Sequence, residues 1–138
     1  MKFRFRLQSV LDYRANQEDE AKQVYLTRRA SRFEGESAIT GLSTKRRSVL
    51  EQPAPSLPTR LGMEARLSKL DDEERFARTA VNVMLNEEEA AEVVWKQKRQ
   101  ALRSIELLKE RELTEWTHDQ ERKEQAELDE WAVMRRRS

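Results

Sequence analysis

The sequence predicts an all-α fold: a two-helix antiparallel coiled-coil hairpin whose longer C-terminal helix projects beyond the paired region. Three observations predict it. Charged residues make up 38% of the 138, with only three glycines and three prolines, a composition of long helices with few turn residues for a multi-stranded fold. All three prolines fall in one segment, Pro53-Ala-Pro-Ser-Leu-Pro58. On both sides of it, apolar residues recur at steps of three and four, the helical period. The mean hydropathy of -0.95 is too polar for a thick core. Disorder competes at such polarity, and the apolar periodicity argues against it. The expectation is one elongated hairpin over residues 1–138, with helix one about 3–52, a proline-rich turn about 53–60 and helix two about 61–135.

Helix one opens with apolar steps at Phe3, Leu7, Val10 and Leu11. A heptad from Leu7 places Leu7, Arg14, Ala21, Arg28, Gly35, Leu42 and Val49 in one seam row. A second row holds Val10, Gln17, Val24, Ser31, Ala38 and Lys45, with Leu11, Tyr25 and Ile39 widening the stripe. Gly35 and Gly41 each weaken a helix by roughly 1 kcal/mol, which leaves the continuity of helix one open between Phe33 and Thr44. The prolines end the helix near Leu50 to Gln52, because each lacks an N–H and turns its predecessor away from helical angles.

Helix two carries the cleaner heptad: Met63, Leu67, Leu70, Glu74, Ala77, Val81, Met84, Glu88, Ala91, Trp95, Lys98, Leu102 and Ile105. Opposite charges four apart support it at Asp71–Arg75, Glu74–Arg78 and Glu92–Lys96. At 1.5 Å per residue it reaches close to ~110 Å. A turn centred near 56–57 sets Leu7 beside roughly Glu106 in antiparallel register. The heptad fails after Leu108, and Thr117 to Glu127 holds only Ala126 as an apolar residue. The C-terminal third is therefore expected to project alone.

Charge divides with the hairpin. Met1 to Leu50 carries 11 basic and 6 acidic residues, whereas Thr59 to Ser138 carries 16 basic and 19 acidic. The whole nets only +1, which offers no general field for nucleic acid. Arg135-Arg-Arg137 complements a helix C-terminus. Absence of cysteine removes disulfides and thiolate metal sites. The start Met1-Lys-Phe-Arg-Phe-Arg is basic without a following apolar run, so it does not read as a secretory signal. No run approaches the ~18 apolar residues of a membrane span, and the cytoplasm is the expected compartment.

No catalytic, metal or cofactor site is expected. There is one histidine and no phosphate-cradling glycine loop, and carboxylates on a hairpin face solvent. Glu115 and His118 have the Glu-x-x-His spacing of di-iron bundles, but those need two copies and further glutamates. The tryptophans say more. Trp95 sits in the seam and reads as core. Trp116 and Trp131 fall in the projecting region, with Leu113, Leu128 and Val133 at nearby helical spacing. Two readings stand for them: anchors for a partner, or residues covered by a displaced helix one or a folded-back C-terminus. Phe3 and Phe5 lie at the same open end.

The run Lys2-Phe-Arg-Phe-Arg-Leu-Gln-Ser-Val-Leu-Asp-Tyr-Arg14, followed by Glu18 and Ala21, closely resembles the start of the flagellar FliJ family. Glu121-Arg-Lys-Glu-Gln-Ala-Glu-Leu-Asp-Glu130 is similar to that family's charged C-terminal segment. The resemblance covers both ends, about a third of the chain. It implies a non-catalytic component of the flagellar type III export apparatus, folded as a two-helix coiled coil like the stalk of a rotary ATPase. The implied partners are the hexameric export ATPase, the cytosolic domain of the export gate and export chaperones. The implied place is the cytoplasm, with peripheral association at the inner membrane through the apparatus only. Of the matching residues, Leu7, Val10 and Leu11 are expected to pack within the hairpin. Expected to touch the ring are Phe3, Phe5, Arg14, Gln125, Leu128, Asp129 and Glu130 of the matching residues, together with Trp116 and Trp131 from the anchor reading. The equivalent stalk of a virulence-type injectisome and a self-assembling structural coiled coil are the alternatives.

Overall fold

The computed structural model describes residues 2–137. Helix α1 spans Gln8–Glu51 and helix α2 spans Leu57–Arg137, 44 and 81 residues respectively. The two pack against each other, and no strand occurs among the described residues. No helix there is long and apolar enough to cross a membrane. The chain divides into two units: Met1–Asp19 with Gln97–Ser138, and Glu20–Lys96.

The Glu20–Lys96 unit contains the turn and reads as an antiparallel helical hairpin. Tyr25 stacks on Trp95 with ring centroids 5.2 Å apart. Arg32 pairs with Glu88 and Arg46 with Glu74. A step of fourteen residues forward on α1 thus matches fourteen backward on α2, as antiparallel pairing requires. On α2 the seam residues from Met63 to Trp95 are each buried or half-buried, at the heptad positions the sequence predicts.

On α1 one seam row differs from expectation. Ala21, Gly35, Leu42 and Val49 are covered, but Arg28 is exposed. The second row is Tyr25, Arg32, Ile39 and Arg46, whereas Val24, Ala38 and Lys45 face solvent. The larger apolar side chains decide this, because Tyr25 and Ile39 bury more area than Val24 and Ala38. Glu74 and Glu88 decide it too, since both lie on the α2 seam and require cationic partners there.

α1 runs unbroken through Gly35 and Gly41, and neither glycine has a positive φ. Gly35 instead permits close approach. A Cβ there would lie 2.9 Å from Val81 Cγ2 and 3.0 Å from Met84 Sδ.

The turn is shorter than expected, because α2 begins at Leu57 and includes Pro58. Proline's missing N–H costs nothing in a first helical turn, where that group has no intrahelical acceptor. Ser56 caps the start: its Oγ accepts from the Thr59 N–H at 3.4 Å and lies 2.8 Å from Thr59 Oγ1. Arg60 Nε donates to the Ala54 carbonyl at 3.3 Å, tying the turn to the first turns of α2.

In the unit of Met1–Asp19 with Gln97–Ser138, α1 starts at Gln8 rather than near Phe3. Residues 2–5 are non-helical. Phe-Arg-Phe-Arg has a period of two, which an extended segment turns into one buried and one solvated face. Phe3 is half-buried and Phe5 is 7% exposed, while Arg4 and Arg6 face solvent. The Gln8 N–H donates to the Phe5 carbonyl at 3.2 Å, joining this segment to the helix.

Pairing in this unit runs further along α2 than the turn geometry predicts. Lys109 Nζ donates to Gln8 Oε1 at 2.8 Å, so Leu7 stands beyond Glu106. Residues 55–62 are all exposed, and seam burial begins at Met63. Half-burial also continues past Leu108, at Lys109, Glu112, Trp116 and Gln120. These positions keep the heptad step but mostly hold polar residues, which hid them from an apolar count.

Candidate functional site

The nine residues expected to touch a partner separate into two groups. Phe3, Phe5, Arg14 and Trp116 are engaged within the chain. Phe3 and Trp116 meet edge-tilted, with centroids 6.0 Å apart and planes at 55°, a favoured aromatic geometry. Arg14 Nη1 donates to the Ala101 carbonyl at 2.9 Å. That bond ties the half-buried arginine to the α2 backbone. Trp116 therefore does not lie on a solitary stretch of helix: the extended N-terminal residues reach it. Sequence periodicity missed this contact because it treated Phe3 as helical.

Gln125, Leu128, Asp129, Glu130 and Trp131 form the second group, all on α2 and all exposed. From Glu121 to Arg137 every residue is exposed. Leu128 is 60% and Trp131 59% exposed, three residues apart on one side of the helix. Val133 and Met134 are exposed as well. The Arg135 guanidinium lies 5.1 Å from the Trp131 ring centroid, a cation–π contact that orients the indole without covering it. Gln125 Nε2 donates to Asp129 Oδ1 at 3.2 Å, one helical turn on. The group thus presents apolar side chains in a frame of carboxylates and arginines. Such a surface suits protein recognition: aromatic anchors supply buried area and the charged rim supplies register.

Two open surface hollows lie in this region, one of them lined by Asp129, Glu130, Val133, Met134 and Arg137. His118, Glu121, Arg122 and Gln125 line the other. The His118 ring faces Glu121, with Nδ1 3.7 Å from Oε2. Among the described residues, no three histidine or carboxylate groups gather as metal ligands would.

Two ion pairs across the seam lie in the Glu20–Lys96 unit. Arg32 grips Glu88 through two nitrogens, with Nη2 to Oε1 at 3.2 Å. The Glu88 side chain is only 8% exposed. Hydrogen bonding from Arg32 holds the Glu88 carboxyl below its ordinary value, against the opposing effect of burial. The same bond, with a second to Glu36, raises the Arg32 guanidinium. Glu74 is likewise lowered, first by hydrogen bonding from Arg78, with burial opposing and the Arg46 charge assisting. Glu74 and Glu88 were legible as seam positions, but their arginine partners lie on the α1 row that the apolar count passed over. These pairs face the partner helix and join α1 to α2 at a fixed register.

A family model described as Flagellar FliJ protein matches residues 2–138 of this chain. No curated protein and no solved structure matches it.

Proposed function

The chain belongs to the FliJ family and is a component of the flagellar export apparatus; from that premise we propose that it serves as the stalk-like partner of the hexameric export ATPase. In this reading it is non-catalytic. It couples the ring to the cytosolic domain of the export gate and escorts export chaperones. Its place is cytoplasmic, held at the inner membrane through the apparatus alone. The part of α2 beyond the last α1 contact projects and enters the ring.

One observation carries this reading: α2 from Glu121 to Arg137 is exposed along its whole length, yet it carries Leu128, Trp131, Val133 and Met134. Folding alone gives no reason for a lone helix to hold apolar residues in water, whereas a partner that buries them does. Gln125, Leu128, Asp129, Glu130 and Trp131 are the proposed ring contacts on this segment. Phe3, Phe5, Arg14 and Trp116 hold the segment's base in place, and the half-buried Phe3, Arg14 and Trp116 meet the ring through the part of each that stays exposed.

The test is co-purification with the flagellar export ATPase, scored by ring formation and ATP hydrolysis rate. Binding with stimulation is expected. Trp131→Ala is expected to reduce stimulation about tenfold, the loss of one interface anchor of ~1.4 kcal/mol, while leaving the thermal midpoint unchanged. A protein that neither binds nor stimulates the ATPase would overturn the stalk reading. If Trp131→Ala lowers the thermal midpoint instead, the tryptophan belongs to the fold.

A further inference from the structure

One row of the hairpin seam changes between apolar and charged residues at every heptad. On α2 the row runs Leu67, Glu74, Val81, Glu88 and Trp95, each buried or half-buried. On α1 it runs Tyr25, Arg32, Ile39 and Arg46, all half-buried. The two alternations match across the seam. Tyr25 stacks on Trp95, Arg32 pairs with Glu88, and Arg46 pairs with Glu74 at 2.7 Å. Ile39 and Val81 stand between the two ion pairs, one heptad from each. Apolar thus meets apolar, and charge meets opposite charge, at each step. The charges are not at the rim. Glu88 is 6% exposed, more deeply buried than any apolar residue of the Glu20–Lys96 unit, and the Glu74 side chain is 12% exposed.

A slide of α1 along α2 by one heptad keeps the same rows face to face, so the apolar pattern alone does not forbid it. The charges do. A slide toward the turn sets Tyr25 against Glu88, Arg32 against Val81, Ile39 against Glu74 and Arg46 against Leu67. Every layer is then mismatched. A slide the other way sets Arg32 against Trp95, Ile39 against Glu88 and Arg46 against Val81. Two heptads toward the turn set Arg46 against Arg60. A buried charge facing an apolar neighbour has lost the partner that offsets its desolvation. The second seam row discriminates by size instead. Ala21, Gly35, Leu42 and Val49 are its covered residues on α1, and a slide exchanges one uncharged neighbour for another.

The turn favours a different register. α1 ends at Glu51 and α2 begins at Leu57, a connection short enough to join helices paired from its edge. The first turns of α2 nevertheless stand uncovered. Residues 55–62 are all exposed, with Leu57 at 68% and Leu61 at 56%. A slide of one heptad toward the turn, about 10 Å, would bring α1 alongside them. The register in the structure leaves this apolar area in water and keeps the charged layers matched.

We propose that the alternating row is a register latch: its charged layers hold α1 one heptad away from the register that the turn and the apolar seam would otherwise adopt. The hairpin then has two registers within reach, and the Arg32–Glu88 and Arg46–Glu74 layers select one. Polar residues at coiled-coil seam positions act in this way, giving up some stability for a single register. The inference concerns the hairpin alone and does not rest on the stalk reading.

The test reads the register directly in the full chain. Because the sequence has no cysteine, Thr44→Cys and Val93→Cys place two nitroxide labels at exposed positions, one on each helix. Double electron–electron resonance then measures the distance between them, and dilution with unlabelled chain excludes distances between molecules. With the native row a single distance is expected. Replacing Arg32, Arg46, Glu74 and Glu88 together by leucine is expected to add a population with the labels about 10 Å further apart, because the slide carries Thr44 away from Val93. Exchanging the charges between the helices (Arg32→Glu and Arg46→Glu with Glu74→Arg and Glu88→Arg) is expected to keep the native distance alone. Circular dichroism checks the helix content of each variant.

A leucine variant that holds only the native distance would overturn the proposal, because the turn and the apolar packing would then suffice to set the register. If the leucine variant does not fold, the exchanged variant decides. The native distance alone supports the latch there, and a longer distance overturns it.

Discussion

Gly35 and Gly41 are the same residue type in the same helix, yet they do different work. Alanine at either position recovers roughly 1 kcal/mol of helix propensity. At Gly41 nothing lies within 4 Å of the added Cβ, so Gly41→Ala is expected to stabilise the chain by about that amount. At Gly35 the Cβ meets Val81 Cγ2 at 2.9 Å. Valine is stiff at χ1 in a helix and yields less than Met84. Gly35→Ala is therefore expected to fall short of Gly41→Ala by ~1 kcal/mol or more in denaturant unfolding. Equal stabilisation by the two would mean that the helices do not approach closely there. The same scale holds the pH dependence. Glu88 and Glu74 have carboxyls lowered in the folded chain, by Arg32 and Arg78 first. A lowered folded value means the stabilisation is full above the ordinary carboxylate range. It is lost as pH falls through the folded value. Thermal melts are expected to decline on acidification below about pH 4.3, and Glu88→Gln is expected to flatten that decline. Arg32→Ala is expected to lower the midpoint more than Arg28→Ala, because it strands a buried carboxylate, whereas Glu87 beside Arg28 is about half exposed.

At the scale of elements, each helix end has its own cause. Ser56 and Pro58 start α2 inside what the prolines suggest is a turn, and Ser56→Ala is expected to cost about 0.5–1 kcal/mol in unfolding measurements. The start of α1 is set by the two-residue alternation of Phe3 to Arg6, which favours an extended segment and buries Phe5. The far end of α2 has no packing to protect it. Limited trypsin digestion of the isolated chain is expected to cut first at Arg122, Lys123 and Arg135 to Arg137, and near Arg60. Sites in the seam, such as Arg14 and Arg32, are expected to resist. Early cleavage at Arg14 with Arg122 intact would mean that the Glu121 to Arg137 segment is covered in solution. The heptad of α2 was legible wherever its seam is apolar. It became illegible where Lys109 and Glu112 fill seam positions, because a count of apolar residues does not register an amphipathic stem lying over a neighbour.

At the scale of the whole molecule, the exposed end of α2 around Leu128 and Trp131 stands apart from the packing between helices and is proposed to meet the export ATPase. Trp131→Ala is expected to impair ATPase stimulation without changing the sedimentation of the chain alone.

The sequence by itself determined the helical class, the single proline-bounded turn, the α2 seam and the family. Each follows from local periodicity, from backbone chemistry or from a contiguous motif, and none requires knowing what lies across the interface. Only the tertiary structure decided which α1 row faces inward, where the pairing register falls and what becomes of Phe3, Phe5 and Trp116. Those outcomes depend on a partner surface: Glu74 and Glu88 draw Arg46 and Arg32 into the seam and so fix its register, and Trp116 waits for a phenylalanine more than a hundred residues away.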